Sequence, residues 1–576
     1  MDHDVTAPSR TKSLYARGAA LILDGFLDYN ERFADITRRA RRCFEHCDWR
    51  FAHADAVARI DLYEACIGET MGRLELLLDE RIRARGLWAM HSEYAARTAT
   101  LRDRALARTY FNSLSRQVLQ ISGVDRRIEF VALSDAHDDG SALLPNLQWY
   151  PLAGDIASIC TKLLEDFPFA NGYTDICHGA EVLGRAMQDR WDPLPRFLQI
   201  LPQVFYRERR AYLVGTARWP NRQQLCVVAL VSAADGVRVH ALLTKVEQIS
   251  VLFGYARSHF HVDLETVDAV VGLLAGLLPH KPVSELYTVL GRAKQGKTER
   301  YCELQRYLAR YPGEQMVHAD GDRGMVMVVF TPPSHPVVIK VIRDRFAYPK
   351  DTGRRQVEEK YRLVFHYDRI GRLVDAQEFR DLRIPLEYFS EPLRRELCES
   401  CKATTAIVGE DLLLKHCYIE RRLRPLNLYV REVLAADALR AVLDYGQAIK
   451  DLARSHIFPG DLLLKNFGIS RNGRAIFYDY DELCLIDQCR FRKLPKGYDE
   501  DELRPLDEWV SARDSDVFPE LFPHFLGLPT FLREALQKVH GELFDPAWWQ
   551  VLQTRLANGE YLDVSPYPEA ARLPGY

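Results

Sequence analysis

Residues 459–482 read P-G-D-L-L-L-K-N-F-G-I-S-R-N-G-R-A-I-F-Y-D-Y-D-E. Asp461 stands five residues before Asn466, and Asp479 thirteen residues after it. The R-N-G at 471–473 supplies a hairpin turn between two short apolar runs, around FGIS and AIFYDY. The turn folds Asp479 back toward Asn466. A chain with this segment must therefore place several hard oxygen donors together, and such donors suit Mg²⁺. The plainer alternative is a polar hairpin with acidic decoration.

The order and spacing are those of kinase-type phosphotransferases, D-x-x-x-x-N…D. In that arrangement Asp461 accepts or orients the attacking hydroxyl, and Asn466 and Asp479 hold Mg²⁺ against the ATP phosphates. The metal motif reads D-Y-D, so Asp481 adds a carboxylate where a glycine is usual. Lys465, four residues after Asp461, is close enough to neutralise a γ-phosphate. F-P-G-D stands where H-R-D is usual, and no A-P-E follows. Without that arginine, control by activation-loop phosphorylation is not expected.

Upstream, Ala319, Asp320, Gly321, Asp322, Arg323, Gly324 and Met325 align with a glycine-rich ATP loop, with Ala319 in place of the first glycine. Such loops cover phosphates with backbone N–H groups because small residues allow close approach. Glycine turns between strands are common, so the loop is weak evidence alone. V-V-I-K at 337–340 follows it, and Lys340 matches the lysine that reaches the α- and β-phosphates. Glu358 and Glu359 both fit as the glutamate partner of Lys340, or as mere helix surface.

The chain has 576 residues, enough for two to four domains at about 150 residues each. Residues 1–312 read mainly helical, with apolar residues at three-to-four spacing and one hairpin at 225–246. The segment 142–152 reads as a break. From 313 to about 424 the texture is strand-rich, with strands at 324–331, 336–342 and 411–423 and a helical stretch over 354–379. From 425 to 576 it is helical again. The expected class is α+β: a helical regulatory domain (1–312), then a two-lobed protein-kinase-like domain (313–576).

The 77 basic and 80 acidic residues leave a net charge of −3, which gives no support to a nucleic-acid or anionic-membrane partner. The apolar run 269–278 is about half the roughly 20 residues that span a bilayer. The start, MDHDVTAPSRTKSLYARG, lacks a secretory pattern, so a cytoplasmic protein is expected. Twelve scattered cysteines, including one C-x-x-C at Cys398–Cys401 and Cys43 and Cys47 flanking His46, read as reduced thiols rather than a zinc site.

G-R-A-K-Q-G-K-T at 291–298 matches the P-loop consensus. A working P-loop follows a buried strand. Here Val283, Leu286, Tyr287 and Leu290 fall at i, i+3, i+4 and i+7, the pattern of an amphipathic helix. The match therefore reads as a decoy for catalysis.

Several long strings resemble the bacterial isocitrate dehydrogenase kinase/phosphatase family: GMVMVVFT, VIKVIRDRFAYPK, HYDRIGRLVDAQEF, YIERRLRPLNLYV, IFPGDLLLKNFGI, FYDYDEL, QVFYRERRAYLVG and FGYARSHFHV. The resemblance implies a bifunctional enzyme that phosphorylates a serine of isocitrate dehydrogenase, inactivating it, and removes that phosphate with ATP or ADP present. It implies control of flux into the glyoxylate bypass, with ATP and Mg²⁺ (or Mn²⁺) at one shared site and AMP as an effector at the regulatory half. By motif it assigns residues 319–325 and Lys340 to ATP, Asp461 to the kinase step, Asn466 and Asp479 to the metal, and Asp375 to the phosphatase reaction. From spacing alone Asp375 is an ordinary helix-end acid. Lys297 is expected to border the AMP pocket, and the mixed-charge segment 489–510 to face the protein substrate. Oligomeric state is left open, a homodimer among the options. The competing reading is a small-molecule phosphotransferase of the aminoglycoside or choline kinase type, to which P-G-D is locally similar.

Overall fold

The computed structural model describes residues 7–78, 83–119, 145–254, 260–347, 353–367, 369–494 and 515–574. The chain divides into two compact units. One comprises Met1–Pro312, Asp381–Arg383 and Pro566–Tyr576; the other comprises Gly313–Arg380 and Ile384–Ser565. The main boundary falls between Pro312 and Gly313, with Asp381–Arg383 and the last eleven residues grouped with the first unit.

The first unit opens with four helices: α1 (Ala7–Glu45), α2 (Trp49–Leu77), α3 (Arg83–Thr98) and α4 (Arg104–Leu119). Along α1, Ala19, Ile22, Phe26, Tyr29, Phe33 and Ile36 are buried at three- and four-residue spacing, which is why this sequence forms one long amphipathic helix. Asp48 caps α2 by accepting from the Phe51 amide. The strands are β1 (Gln148–Pro151), β2 (Phe197–Ile200), β3 (Phe205–Arg207), β4 (Arg210–Arg218), β5 (Gln223–Ala233) and β6 (Gly236–Leu243).

These six strands form one antiparallel sheet in the order β1-β2-β4-β5-β6, with β3 on β4. The expectation of a single hairpin is corrected: the β5–β6 hairpin is one edge of a larger sheet. The reason is visible in β4, where all residues but the last are buried, so no alternation marks it as a strand. Helices α5 (Ile156–Glu165) and α6 (Ile176–Arg190) lie between β1 and β2 in the chain; α7 (Val246–Leu252), α8 (Val267–Leu277), α9 (Val283–Val289) and α10 (Ala293–Arg310) follow β6.

The second unit begins with a six-stranded sheet of β7 (Val317–His318), β8 (Met327–Thr331), β9 (Val337–Ile342), β10 (Gln377–Pro385), β11 (Thr405–Val408) and β12 (Asp411–Arg421). Its order is β10-β12-β9-β8-β7, with β11 on β12. Helix α11 (Arg354–Tyr367) lies between β9 and β10 in the chain, and α12 (Glu391–Ser400) between β10 and β11. The expected helical stretch over 354–379 is therefore two elements, a helix ending at Tyr367 and a strand starting at Gln377. In β10 buried residues recur at nearly every second position, a strand period that overrides the helical reading.

The helical part follows. It contains β13 (Arg424–Pro425), α13 (Leu426–Glu432), α14 (Ala435–Arg454), β14 (Ile457–Phe458), β15 (Phe467–Ile469), β16 (Ala475–Phe477) and β17 (Cys484–Leu485), with further helices to Ala557. α14 buries Val442, Tyr445, Ile449 and Leu452 in a core shared with Phe467, Phe477 and Trp549. A strand-rich lobe followed by a helical lobe is the predicted α+β kinase-like architecture. Among the described residues no helix is long and apolar enough to cross a membrane.

Candidate active site

The hairpin read from 459–482 forms as expected. β15 and β16 pair antiparallel, Phe467 opposite Phe477 and Ile469 opposite Ala475. The Tyr478 amide donates to the Asn466 carbonyl at 3.1 Å, which ties the Asn466 end of the hairpin to the residue before Asp479. The register therefore brings Asn466 and Asp479 to the same end of the hairpin. The Asn466 amide nitrogen donates to the Asp461 carbonyl at 3.2 Å, and the Leu463 amide donates to the Asp461 carboxylate at 3.1 Å. Burial raises the Asp461 carboxyl above its ordinary value. The Leu463 amide works against that shift, and the Glu482 and Asp479 charges reinforce it.

Asp461, Lys465, Asn466, Asp479 and Asp481 all line one cleft of about 330 Å³ with Lys340 and residues 319–325. Seven loop residues and six residues from three other segments thus converge on one cleft. Gly324 closes the loop onto β8: a Cβ there would lie 2.7 Å from the Met327 carbonyl oxygen. The loop's acids carry their own counter-cations. Asp320 pairs with Arg424 at 2.6 Å, and Asp322 lies 3.8 Å from Lys465. Arg323 and Arg343 both reach Glu396, at 2.7 and 2.5 Å.

Lys340 is buried on β9 and has a partner that the sequence reading missed. Its ammonium lies 2.8 Å from Glu420 on β12 and donates to the Tyr478 carbonyl at 2.7 Å. Glu358 and Glu359 are corrected: Glu358 pairs with Arg354 at 2.9 Å, and Glu359 is exposed. Helix α11 instead contributes Tyr361, whose hydroxyl donates to Glu420 at 3.3 Å and whose ring stacks on Tyr418 at 3.8 Å. Burial raises the Glu420 carboxyl, and Lys340 and Tyr361 oppose that rise. Glu420 lies in Y-I-E-R-R on a strand that pairs with β9, with Tyr418 opposite Lys340 and Glu420 opposite Val338. An acid two residues beyond the cross-strand neighbour of Lys340 was the available signal, and it needed the register to be read.

Asp375 is not at a helix end, and it is not among the described residues that line the cleft. It lies between α11 and β10, in a segment that runs parallel to the hairpin. Leu373 bridges Phe477, the Val374 amide donates to the Phe477 carbonyl at 3.1 Å, and the Tyr480 hydroxyl donates to the Val374 carbonyl at 2.6 Å. Asp375 follows that bridge by two residues, as Asp479 follows Phe477 by two. Arg372 fastens the segment. It is buried, with its guanidinium 2.9 Å from Asp451, 2.6 Å from Asp444 and 3.1 Å from the Ala475 carbonyl. No sequence motif singled out Arg372.

G-R-A-K-Q-G-K-T lies in the other unit and is not a phosphate loop. A helix, α9, leads into Gly291, and Lys297 sits inside α10. Gly296 is where α10 meets α9: a Cβ there would lie 2.5 Å from the Ser284 carbonyl oxygen. Lys294 pairs with Glu64 of α2. Most of the expected substrate-facing segment, residues 495–510, lies outside the described residues.

Two family descriptions match the chain: the isocitrate dehydrogenase kinase/phosphatase (AceK) kinase domain over residues 314–569, and the regulatory domain of the same proteins over residues 19–311. A protein of Xanthomonas campestris pv. campestris (strain 8004) named isocitrate dehydrogenase kinase/phosphatase is 47% identical over 579 residues, covering 100% of both chains. One of the same name from Xanthomonas euvesicatoria pv. vesicatoria is 48% identical over the same span. One from Anaeromyxobacter sp. (strain Fw109-5) is 43% identical over 568 residues, 97% of this chain and 98% of that one. With its whole length matched, and with the lysine, asparagine and acids of a kinase cleft in place, this chain belongs to the isocitrate dehydrogenase kinase/phosphatase family.

Proposed function

We propose that this chain is a bifunctional enzyme, an ATP-dependent protein serine kinase acting on isocitrate dehydrogenase and a phosphatase that removes the same phosphate. The observation that carries the reading is the single cleft shared by Lys340, Asp461, Asn466, Asp479 and Asp481 beneath the 319–325 loop.

The residues fit the groups such an enzyme uses. Asn466, Asp479 and Asp481 offer only oxygen donors once the Asn466 nitrogen is engaged by the Asp461 carbonyl, and that donor set suits Mg²⁺ or Mn²⁺. A bound divalent ion would offset charge on the transferring phosphoryl group. Lys340, held by Glu420, carries the cation for the α- and β-phosphates of ATP. The loop 319–325 covers those phosphates, its two acids being countered by Arg424 and Lys465.

In the kinase direction Asp461 orients the acceptor serine hydroxyl and takes its proton as the oxygen attacks the γ-phosphorus. Burial that raises the Asp461 carboxyl makes it a better base than an exposed aspartate. Lys465 meets negative charge on the transferred group. In the phosphatase direction Asp375, on the segment fastened to the hairpin through Arg372, orients the water that attacks phosphoserine. Residues 1–312 act as the regulatory domain and 313–576 as the catalytic one, with lobes of 313–424 and 425–576. AMP is the effector, and Lys297 borders its pocket. The enzyme is cytoplasmic, and its balance of activities sets flux into the glyoxylate bypass.

The test is transfer of labelled phosphate from ATP to isocitrate dehydrogenase, with small alcohols as competing acceptors. Wild type should label the protein and not the alcohols, and Asp461→Ala should not label it. Full labelling by Asp461→Ala would remove the kinase assignment. For the effector claim, Lys297→Ala should blunt the shift in activity that AMP causes; an unchanged AMP response would remove Lys297 from that role.

A further inference from the structure

Two thiols that neither activity uses lie just beyond the D-Y-D motif. Cys484 Sγ and Cys489 Sγ are 3.5 Å apart, joined by a thiol–thiol hydrogen bond. Both line a second cavity, of about 980 Å³, whose wall also includes Asp461 and Asp481. The pair therefore borders the catalytic acids on a face open to small solutes. Cys484 is half-buried, and Cys489 is 7% exposed.

The backbone that carries the pair is the backbone that carries the acids. Cys484 pairs with Phe458 across β14 and β17, three residues before Asp461. The Ile486 amide donates to the His456 carbonyl at 3.1 Å. The Gln553 amide donates to the Ile486 and Cys489 carbonyls, at 2.7 Å each. A disulfide needs the sulfurs about 2.05 Å apart, so closure from 3.5 Å draws the two ends of this turn together. With the turn pinned to 456–458 on one side and leading directly out of Asp481 on the other, that movement reaches both acids.

We propose that Cys484 and Cys489 form a peroxide-sensitive dithiol, a modification site whose closure to a disulfide slows phosphoryl transfer. The roles of the two sulfurs differ. Cys484 is the more exposed of the two, so a hydroperoxide reaches its sulfur first. The hydrogen bond between the two thiols, with help from Lys360, also holds Cys484 below its ordinary value against burial, and the same bond, with burial, raises Cys489. Cys484 is thus the attacking thiolate. Its sulfur takes the terminal oxygen of a hydroperoxide, the O–O bond breaks, and the alkoxide leaves and is protonated. The Cys489 sulfur then attacks the Cys484 sulfenic acid, the S–O bond breaks, and hydroxide leaves with the Cys489 proton as water. Two thiols lose two electrons, and one hydroperoxide becomes one alcohol and one water. An external dithiol reverses the step by exchange.

The formation of the bond is independent of the functional assignment; its effect on turnover rests on the roles of Asp461 and Asp481 given above. The full chain is treated with hydrogen peroxide, quenched, alkylated and mapped by peptide mass spectrometry, and both activities are measured before and after dithiothreitol. The expected result is a Cys484–Cys489 cross-linked peptide with the loss of two hydrogens. Both activities should fall by about tenfold or more, in line with the cost of misplacing reacting groups by an ångström, and dithiothreitol should restore them. Cys489→Ser should give no cross-link and no dithiothreitol-reversible loss, and Cys484→Ser is the second variant should the first not fold. Absence of the cross-link in wild type overturns the proposal. A cross-link with unchanged activities overturns the switch while leaving the assignment of the active site standing.

Discussion

Lys340 and Glu420 form a buried ion pair across two neighbouring strands, Nζ to Oε2 at 2.8 Å, with Tyr361 of α11 donating to the second carboxylate oxygen. The lysine is held within the sheet, and the helix contributes a hydroxyl rather than a charge. Removing one member leaves the other buried and unpaired, which costs about 3–5 kcal/mol. Glu420→Ala should therefore lower unfolding stability by that order and raise the KM for ATP in the kinase assay. Glu359→Ala, on an exposed helix position, should stay within about 0.5 kcal/mol of wild type. Denaturant titration of both variants checks the contrast, and equal losses would return the pairing to α11.

Asp375 and Asp461 are separable. Asp461 lines the cleft beneath the 319–325 loop, whereas Asp375 is held on a strand-like segment beside the hairpin. Asp375→Ala should abolish dephosphorylation of phospho-isocitrate dehydrogenase and keep at least part of the kinase rate. Asp461→Ala should lose phosphorylation, a drop of about a hundredfold or more for a group that acts as base. Parallel loss of both activities in Asp375→Ala would count against separate roles.

Arg372 holds the segment that carries Asp375 to the hairpin, so its loss should be felt in stability and in its pH dependence. Burial alone would raise the Asp444 carboxyl, but the Arg372 guanidinium overrides it and holds it below its ordinary value. An acid depressed in the folded state stabilises above its unfolded pKa, and that stabilisation is lost as pH falls through the folded pKa. Arg372→Met should cost about 3–5 kcal/mol at neutral pH. The gap to wild type should narrow as the pH drops below about 4, the range of an unperturbed aspartate. Urea midpoints measured from pH 7 down to pH 3 test the sign; a gap that widens on acidification would be the wrong one.

Gly296 is explained by packing rather than by phosphate. Its Cα sits against α9, with the Ser284 carbonyl and the Thr288 hydroxyl in the way of any Cβ. Gly296→Ala should destabilise the fold by about 1–3 kcal/mol, the usual range for overpacking, and leave the KM for ATP unchanged. Melting temperature and ATP kinetics together decide it, and a raised KM with an unchanged melting point would revive the phosphate reading.

The chain's own order of residues determined the chemistry of this protein. The spacing of Asp461, Asn466 and Asp479 around an R-N-G turn, with V-V-I-K upstream, is local information, because a hairpin's register follows from its turn and its apolar runs. The helix before Gly291 was legible for the same reason: its period is contained in eight residues. What the tertiary structure alone decided involves partners distant in the chain. Glu420 reaches Lys340 only through the β9–β12 pairing, and the Asp375 segment lies beside the hairpin only because Leu373 bridges Phe477. Arg372 binds acids 72 and 79 residues away. Strand β4 of the first unit was hidden because a strand buried on both faces loses its alternation. Cross-strand neighbours are set by register, and register between distant strands depends on how the whole core packs.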